Sequence, residues 1–137
     1  MIKKATVMDL MIVLGSINDT SKLDVAALTN RILCGDCFSV VSADDTVIGI
    51  VGADIIFPRV AEVWSILTPL VRTYPFGFIK DIKTLLKCDK FDRLQMLVKA
   101  SEPVHQKFAE YLGFLEEGTM RRTGYDGVDY LMYGRVL

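Results

Sequence analysis

Two segments with alternating apolar residues flank a segment of helical spacing in the middle of the chain. Ala61–Thr68 and Arg93–Lys99 alternate with a period of two residues, which is typical of β-strands. The segment between them has the apolar spacing of an amphipathic helix: Phe76, Ile79, Ile82, Leu85 and Leu86. A helix-length connection between two neighbouring strands is what a parallel crossover requires. We therefore predict that these strands run parallel and splay apart at the centre of a sheet.

The N-terminal part of the chain predicts two helices and three strands. A short strand, Ile2–Ala5, precedes a helix that begins with a capping box formed by Thr6 and Asp9. A second helix has Asp24 as its N-cap and ends at Gly35. The inward-facing residues are predicted to be Val7, Leu10, Met11, Leu14 and Ile17 in the first helix, and Val25, Leu28 and Ile32 in the second. The next two strands are predicted to be Phe38–Ser42 and Thr46–Phe57.

The C-terminal part predicts one more helix and a closing hairpin. Ser101 is the predicted N-cap, Pro103 lies in the first turn, and Gly113 ends the helix. The helix is predicted to run through Val104, Phe108 and Leu112. The hairpin strands are Phe114–Arg122 and Asp129–Val136, joined by a loop that contains Gly124, Asp126 and Gly127. The predicted fold is α/β (α+β), a mixed, mostly antiparallel sheet flanked by helices, in a single domain spanning residues 1–137.

The composition excludes several classes of protein. With 51% hydrophobic and 24% charged residues, the chain is not disordered. Its longest apolar runs, such as Val47–Ile50 and Ile55–Phe57, are far too short to cross a bilayer. The residues after Met1 do not resemble a signal peptide. We therefore expect a soluble, cytoplasmic protein that does not bind membranes.

The charge pattern does not indicate a nucleic-acid-binding surface. The chain has 16 basic and 17 acidic residues and a formal net charge of −1, with no long basic run. Four lysines recur at helical spacing, and three aspartates lie among them in the sequence. The lysines are Lys80, Lys83, Lys87 and Lys90, and the aspartates are Asp81, Asp89 and Asp92. This mixture is typical of a solvated helix face, so no nucleic acid is expected as a partner.

The cysteine pattern does not predict a metal site. Cys34 and Cys37 have the C-x-x-C spacing, but a structural zinc needs four ligands. The remaining soft ligands, Cys88 and the single His105, are far away in sequence and unpaired. The pair also follows a helix and precedes a strand, unlike a thioredoxin motif. We predict that no metal is bound, and the odd number of cysteines argues against a disulfide framework.

The predicted order of elements resembles the GNAT superfamily of N-acetyltransferases, and three segments add to the resemblance. The segment from Tyr111 to Gly118 reads Tyr-Leu-Gly-Phe-Leu-Glu-Glu-Gly and is similar to the C-terminal signature of that superfamily. Leu67–Pro69 resembles the end of its central strand. Arg72–Gly77 occupies the place of its acetyl-CoA motif, Gln/Arg-x-x-Gly-x-Gly/Ala. The resemblance covers essentially the whole chain and implies acetyl-CoA as the co-substrate.

A glycine turn that leads into a helix suits a pyrophosphate because it presents unpaired N–H groups at the positive end of the helix dipole. Arg72 and Gly77 match the motif, whereas Pro75 stands at its first glycine and has no N–H to donate. Pro75 is equally compatible with a first-turn proline of the following helix. The resemblance implies these cofactor-binding residues: Leu67, Arg72, Thr73, Tyr74, Phe76, Gly77 and Glu102.

The resemblance also implies the catalytic residues. Family members commonly use a glutamate on the central strand as general base, and Glu62 is the carboxylate that this strand offers. The family tyrosine that acts as general acid corresponds to Ala109, and Tyr111 lies two residues away, about 200° around a helix. Glu102 replaces an asparagine often found at the start of this helix, and His105 is expected at the surface.

Two functions follow from the resemblance. The first is an acetyl-CoA-dependent N-acyltransferase acting on an amine of a small molecule or protein. The second is a catalytically degenerate binding or structural module, similar to phage-encoded proteins of this fold, and then associated with a virion. Pro75 and Ala109 favour the second; Arg72 and Gly77 favour the first. A homodimer is compatible with exposed Trp64 or Tyr133 on the sheet.

Overall fold

A computed structural model describes residues 1–21, 23–87, 89–124 and 127–137. In these ranges the strands are β1 (Ile2–Lys4), β2 (Asp36–Val41), β3 (Val47–Phe57), β4 (Val60–Leu67), β5 (Arg93–Lys99), β6 (Leu115–Met120) and β7 (Tyr130–Val136). The α-helices are α1 (Val7–Gly15), α2 (Val25–Cys34), α3 (Pro75–Leu86) and α4 (Pro103–Tyr111), and a 3-10 helix covers Pro69–Thr73. The order of strands and α-helices is the predicted one. The 3-10 helix was not predicted.

The strands are ordered β1-β2-β3-β4-β5-β7-β6 in one sheet. β4 and β5 run parallel through three residue pairs: Val60 with Arg93, Ala61 with Leu94, and Glu62 with Gln95. The pairs β1–β2, β2–β3, β5–β7 and β6–β7 are antiparallel. The predicted fold class, a mixed and mostly antiparallel sheet with a central parallel pair, is confirmed. A membrane-spanning helix is absent from the described ranges.

The described chain divides into two compact units. The first comprises Met1–Asp54 and Trp64–Leu86, and the second comprises Ile55–Val63 and Lys87–Leu137. The single-domain organisation therefore stays a prediction. The core of the first unit consists of apolar residues from α1, α2, β2 and β3 and of the residue that follows β1: Ala5, Leu10, Val13, Leu28, Ile32, Cys37, Val41, Val47 and Ile50.

The caps of α1 and α2 are the predicted ones. The Asp9 N–H donates to the Thr6 hydroxyl at 3.2 Å, and the Thr6 N–H donates to the Asp9 carboxylate at 3.1 Å, which completes the capping box. Asp24 caps α2 through the N–H of Ala27 at 3.0 Å. Gly35 follows the last residue of α2, as predicted.

The inward face of α1 differs from the prediction. Asp9 is only 4% exposed because its carboxylate accepts a 2.8 Å hydrogen bond from the buried hydroxyl of Ser39. This contact turns the helix so that Leu10 and Val13 face inward, while Met11 is 63% exposed. In α2, Leu28 and Ile32 are buried as predicted, but Val25 is exposed at the first helical position.

The inward face of α3 also differs from the prediction. Its buried residues are Phe78, Ile82 and Leu86, four residues apart, and Phe76 is 86% exposed. Apolar residues occur on two neighbouring faces of this helix, so their spacing alone did not show which face is buried. Phe78 is fully buried, and it fixes the rotation of the helix.

The second unit contains the β5–β7–β6 ladder and α4. Its buried apolar residues are Ala61, Phe91, Leu94, Val98, Ala109, Leu112, Phe114 and Tyr133. Glu102, rather than the predicted Ser101, is the N-cap of α4, and Val104 is exposed because it lies in the first turn. Gly113 ends the helix as predicted, with a left-handed φ of 90°.

The two sheet residues proposed for a dimer contact were expected to be exposed, but they are not. Tyr133 is 1% exposed, and Trp64 is half-buried. The expectation that Tyr133 and Trp64 are exposed is therefore wrong, because both rings pack into their own units. The loop residue Asp126 and the third cysteine, Cys88, lie outside the described residues.

Candidate active site

The exit from β4 is fixed by a buried threonine. Thr68 donates both its N–H, at 2.9 Å, and its hydroxyl, at 2.8 Å, to the carbonyl oxygen of Ile48. Leu67, the predicted cofactor-binding residue at the end of β4, is half-buried. Pro69 then begins the 3-10 helix, since proline suits a first helical position. These contacts hold the start of the turn that carries the predicted acetyl-CoA motif.

The turn uses some of its donors internally and leaves others unpaired. The Tyr74 N–H donates to the Val71 carbonyl at 3.2 Å, and the Thr73 hydroxyl donates to the Leu70 carbonyl at 2.7 Å. In the described part of the chain, the N–H groups of Phe76 and Gly77 have no acceptor. They lie in the first turn of α3, where the helix dipole is positive. This arrangement favours an anion.

Pro75 is the first residue of α3. The alternative reading of Pro75 as a first-turn proline is therefore the observed one. Its ring fixes a backbone angle that suits the helix start, and it supplies no N–H to an anion. A glycine at this position would offer one more donor.

Tyr74 occupies the space that the absent side chain of Gly77 leaves open. A Cβ atom added to Gly77 would lie 2.6 Å from the Tyr74 hydroxyl oxygen and closer still to the ring. The glycine is thus needed to accommodate the tyrosine ring. The resemblance implied Tyr74 as a cofactor-binding residue and not its packing on Gly77; the sequence signal for that packing is an aromatic residue three positions before the glycine.

Arg72 completes the turn. Its side chain is exposed and makes no ion pair or hydrogen bond with any residue that the structure describes. An unpaired guanidinium suits a phosphate, to which it donates two parallel hydrogen bonds. The first unit thus brings six of the predicted cofactor-binding residues into one continuous segment: Leu67, Arg72, Thr73, Tyr74, Phe76 and Gly77.

Glu62 belongs to the second unit and lies on β4. It is half-buried and pairs with Gln95 at the last residue pair of the parallel register. No ion pair or side-chain hydrogen bond within the described ranges involves its carboxylate. A carboxylate without a partner is available to accept a proton, as a general base must.

The α4 residues of the second unit fall into different environments. Ala109 is 0% exposed, and its carbonyl accepts the Phe114 N–H at 3.1 Å. Tyr111 is the last residue of the helix and is exposed. Glu102 caps the helix without a side-chain hydrogen bond, and His105 is exposed. Ala109, at the position of the family tyrosine, is therefore buried, whereas Tyr111 is exposed to solvent.

A polar cluster in the first unit surrounds Trp64. Arg31 pairs with Asp54 at 2.9 Å, and the Trp64 indole N–H donates to Asp54 at 3.3 Å. The Arg31 guanidinium lies 5.5 Å from the centre of the Trp64 ring. Gly52 makes room for this ring, because a Cβ there would lie 2.6 Å from its Cε2 atom. This cluster was not predictable from the sequence, because its members are distant along the chain.

The two described cysteines differ in environment. Burial, with the charge of Asp54 adding to it, raises the pKa of Cys37 to about 11, so its thiol stays protonated near neutral pH. The thiol donates to the Arg31 carbonyl at 3.3 Å, whereas Cys34 is exposed at the end of α2. No cluster of three or more potential metal ligands occurs among the described residues. Absence of a bound metal stays a prediction.

No family model matches the sequence, and no curated protein matches it. Solved structures of acetyltransferases do match. A mutant spermidine N-acetyltransferase from Vibrio cholerae has a TM-score of 0.81 at 18% identity, over 99% of this chain and 94% of that chain. The chain has the GNAT fold.

Two further structures agree with this assignment. A GNAT-family acetyltransferase from Bacillus anthracis has a TM-score of 0.76 at 16% identity, over 98% of this chain and 93% of that one. The phosphinothricin acetyltransferase from Sinorhizobium meliloti, solved with acetyl-CoA, has a TM-score of 0.74 at 17% identity. The match covers 100% of this chain and 88% of that chain. The resemblance to the GNAT fold that the sequence suggested is therefore confirmed.

Proposed function

We propose that the protein is an acetyl-CoA-dependent N-acyltransferase that acts on an amine of a small molecule or protein. The observation that carries the proposal is the turn before α3. There the N–H groups of Phe76 and Gly77, in the first turn of α3, and the side chain of Arg72 have no partner among the described residues. Acetyltransferases with this fold support the assignment, and one of them was solved with acetyl-CoA.

The residues of the turn fit the pyrophosphate of acetyl-CoA with fewer donors than a full glycine turn provides. Two backbone N–H groups and one guanidinium match its negative charge. Pro75 removes one donor, and the Tyr74 ring fills the space above Gly77. We therefore expect weak binding that requires the Tyr74 side chain to move away from Gly77.

Acetyl-CoA supplies, when bound, an acetyl group activated as a thioester. Glu62 is the proposed general base: its carboxylate, which has no partner among the described residues, accepts the proton that the attacking amine loses. Tyr111 is the proposed general acid: its exposed phenol at the end of α4, rather than a side chain at the position of Ala109, would donate a proton to the leaving thiolate. Glu102, at the N-cap of α4, is proposed to contact the co-substrate.

A second candidate function is a binding or structural module that has lost the chemistry, such as a virion-associated protein of a phage. Complete burial of Ala109 favours it, because the position of the family tyrosine has become part of the core. Pro75 at the start of α3 also favours it, since the turn then has one donor fewer.

Isothermal titration of the purified protein with acetyl-CoA distinguishes the two functions. Saturable binding that weakens in Arg72→Gln supports the acyltransferase. The same protein is then incubated with acetyl-CoA and small amines, beginning with spermidine, on which one structural neighbour is named as acting. Release of CoA that depends on the amine supports catalysis. A folded protein that does not bind acetyl-CoA would contradict the proposal and favour the module.

A further inference from the structure

The outer face of α1 is a stripe of apolar residues that is open to solvent. Every residue of α1 except Asp9 is apolar or glycine, and Asp9 is buried. The exposed residues have the i, i+3, i+4, i+7 spacing of one helix face and form the α1 stripe: Met8, Met11, Ile12 and Gly15. The three side chains are 65%, 63% and 51% exposed. A helix that is apolar on all sides is normally buried on all sides, so this face is expected to have a partner.

The α1 stripe is complementary in shape to a second copy of itself. If two copies of the helix pack antiparallel about a two-fold axis at the midpoint of the stripe, Met8 faces Gly15 of the second copy. The same arrangement places Met11 against Ile12 of the second copy. A Cβ atom added to Gly15 would meet no described atom within 4 Å beyond its own helix and its chain neighbours. The space beside Gly15 is therefore open to the long side chain of the other copy's Met8, and large residues face small ones across the contact.

The electrostatics of α1 also favour a second copy. The α1 stripe carries no charge, because the charged residue of the helix, Asp9, is turned inward to Ser39. Antiparallel packing places the positive N-terminal end of each helix beside the negative C-terminal end of the other. A helix that lies on a membrane surface would instead carry Lys or Arg beside its apolar face, and Val7–Gly15 contains neither.

We propose that the α1 stripe is the contact surface of a symmetric homodimer, in which α1 of one copy packs antiparallel on α1 of the other. The contact is thus assigned to α1 instead of to the sheet residues Trp64 and Tyr133. This inference goes beyond the proposed function and does not depend on it.

The size of the α1 stripe indicates a weak dimer. A side chain such as Met or Ile removes roughly 100 Å² of apolar surface from water when it is fully covered. With the exposed fractions of its three side chains, the stripe supplies roughly 200 Å² per copy, compared with about 800 Å² in a standard interface. We therefore expect a reversible dimer with a dissociation constant of about 10 μM or above.

Sedimentation velocity at protein concentrations from roughly 1 to 500 μM tests the dimer. The weight-average mass of the native protein should rise from one chain towards two. Met11→Lys is expected to weaken association at least about tenfold, because its ammonium would be buried against Ile12 of the second copy without a counter-charge. Met120→Lys places the same charge at an exposed methionine of β6, outside the α1 stripe, and should keep the native dissociation constant. Circular dichroism shows that each variant is folded.

A mixture of two variants tests the antiparallel register. Ile12→Glu alone should weaken association as Met11→Lys does. In a heterodimer of the two variants, the new lysine faces the new glutamate, and the other half of the contact keeps its native Met11 and Ile12. The mixture should therefore associate at least about tenfold more tightly than either variant alone.

Each outcome supports or overturns a defined part of the proposal. A native protein that stays monomeric over the whole concentration range overturns the homodimer. A dimer that persists unchanged in Met11→Lys overturns the assignment to α1, and loss of the dimer in Met120→Lys places the contact at β6 instead. A mixture that associates no more tightly than its components overturns the antiparallel register. None of these results depends on acetyl-CoA, so the proposed function stands or falls separately.

Discussion

The ring of Tyr74 lies across Gly77, three residues further along the chain. Gly77 therefore has a structural role that is independent of any ligand. A glycine at this position matches an acetyl-CoA motif, and in this chain the same glycine also leaves room for the Tyr74 ring at the first turn of α3. The two roles compete for the same space, and they can be separated by experiment.

Gly77→Ala is expected to lower the free energy of unfolding by about 1–3 kcal/mol, the usual cost of overpacking, because the new Cβ collides with Tyr74. In a Tyr74→Ala background the collision is absent. There the same substitution should raise the free energy of unfolding by about 0.5–1 kcal/mol, the ordinary gain of alanine over glycine in a helix. Urea unfolding of the four proteins measures this cycle. A cost that is equal in both backgrounds would contradict the packing of Tyr74 on Gly77.

Pro75→Gly is expected to tighten acetyl-CoA binding. The substitution restores one backbone N–H at the first position of α3, and a hydrogen bond to a charged group is worth about 1.5–3 kcal/mol, or roughly a 10- to 150-fold change in dissociation constant. Added backbone freedom lowers stability slightly. Calorimetry with a thermal melt measures both effects. Pro58→Gly makes the same change in the exposed turn between β3 and β4, outside the residues proposed to contact acetyl-CoA, and serves as the control. Tight native binding with no gain in Pro75→Gly would refute this account of the turn.

Glu62→Gln is expected to reduce the acetylation rate about a hundredfold once an acceptor amine is identified, because a positioned general base contributes at least that much. The amide cannot take up the proton, so the ascending limb of the pH–rate profile should also disappear. Steady-state kinetics across pH measure both changes. Glu110→Gln removes an exposed carboxylate from α4 and should leave the rate unchanged. A profile that is identical in Glu62→Gln and the native protein removes Glu62 from the mechanism.

Ser39→Ala is expected to make the protein less stable near neutral pH and to leave it nearly unchanged in acid. Burial alone raises the pKa of Asp9, but hydrogen bonds from Ser39 and Thr6, with the charge of Lys3, prevail and hold that pKa below its ordinary value. The ionised carboxylate therefore stabilises the fold above its ordinary pKa of about 3.9, and this contribution is lost as the pH falls through the lowered pKa.

Urea unfolding at several pH values measures the effect of Ser39→Ala. Near pH 7 the loss should be about 1.5–3 kcal/mol, the usual worth of a hydrogen bond to a charged group. It should shrink once the pH drops below about 4. Ser101→Ala, at an exposed serine that caps no helix, is the control. A loss that is the same at every pH would show that Ser39 does not act through the Asp9 charge.

Features encoded within a few residues were predictable from the sequence. The Thr6–Asp9 capping box, the Asp24 cap and the end of α4 at Gly113 depend on neighbours in the chain, and the structure has them as predicted. The parallel pairing of β4 with β5 was also predictable, because a helix between two strands leaves few other connections.

Features that depend on tertiary packing were not predictable. α3 has apolar residues on two stripes, and only the burial of Phe78 places Phe76 on the outside. α1 has the same ambiguity, which the distant Ser39 resolves through Asp9. In the candidate site, the sequence indicated the turn and Glu62, but it did not indicate that Tyr74 covers Gly77.

Trp64 is the single tryptophan of the chain, and it is held between Asp54 and Arg31 within the first unit. The protein therefore carries its own optical reporter. Tryptophan emission follows the unfolding of that unit alone, whereas far-ultraviolet circular dichroism follows the helices and strands of both. Coincident midpoints from the two signals would show one cooperative transition, and separate midpoints would show that the two units melt independently.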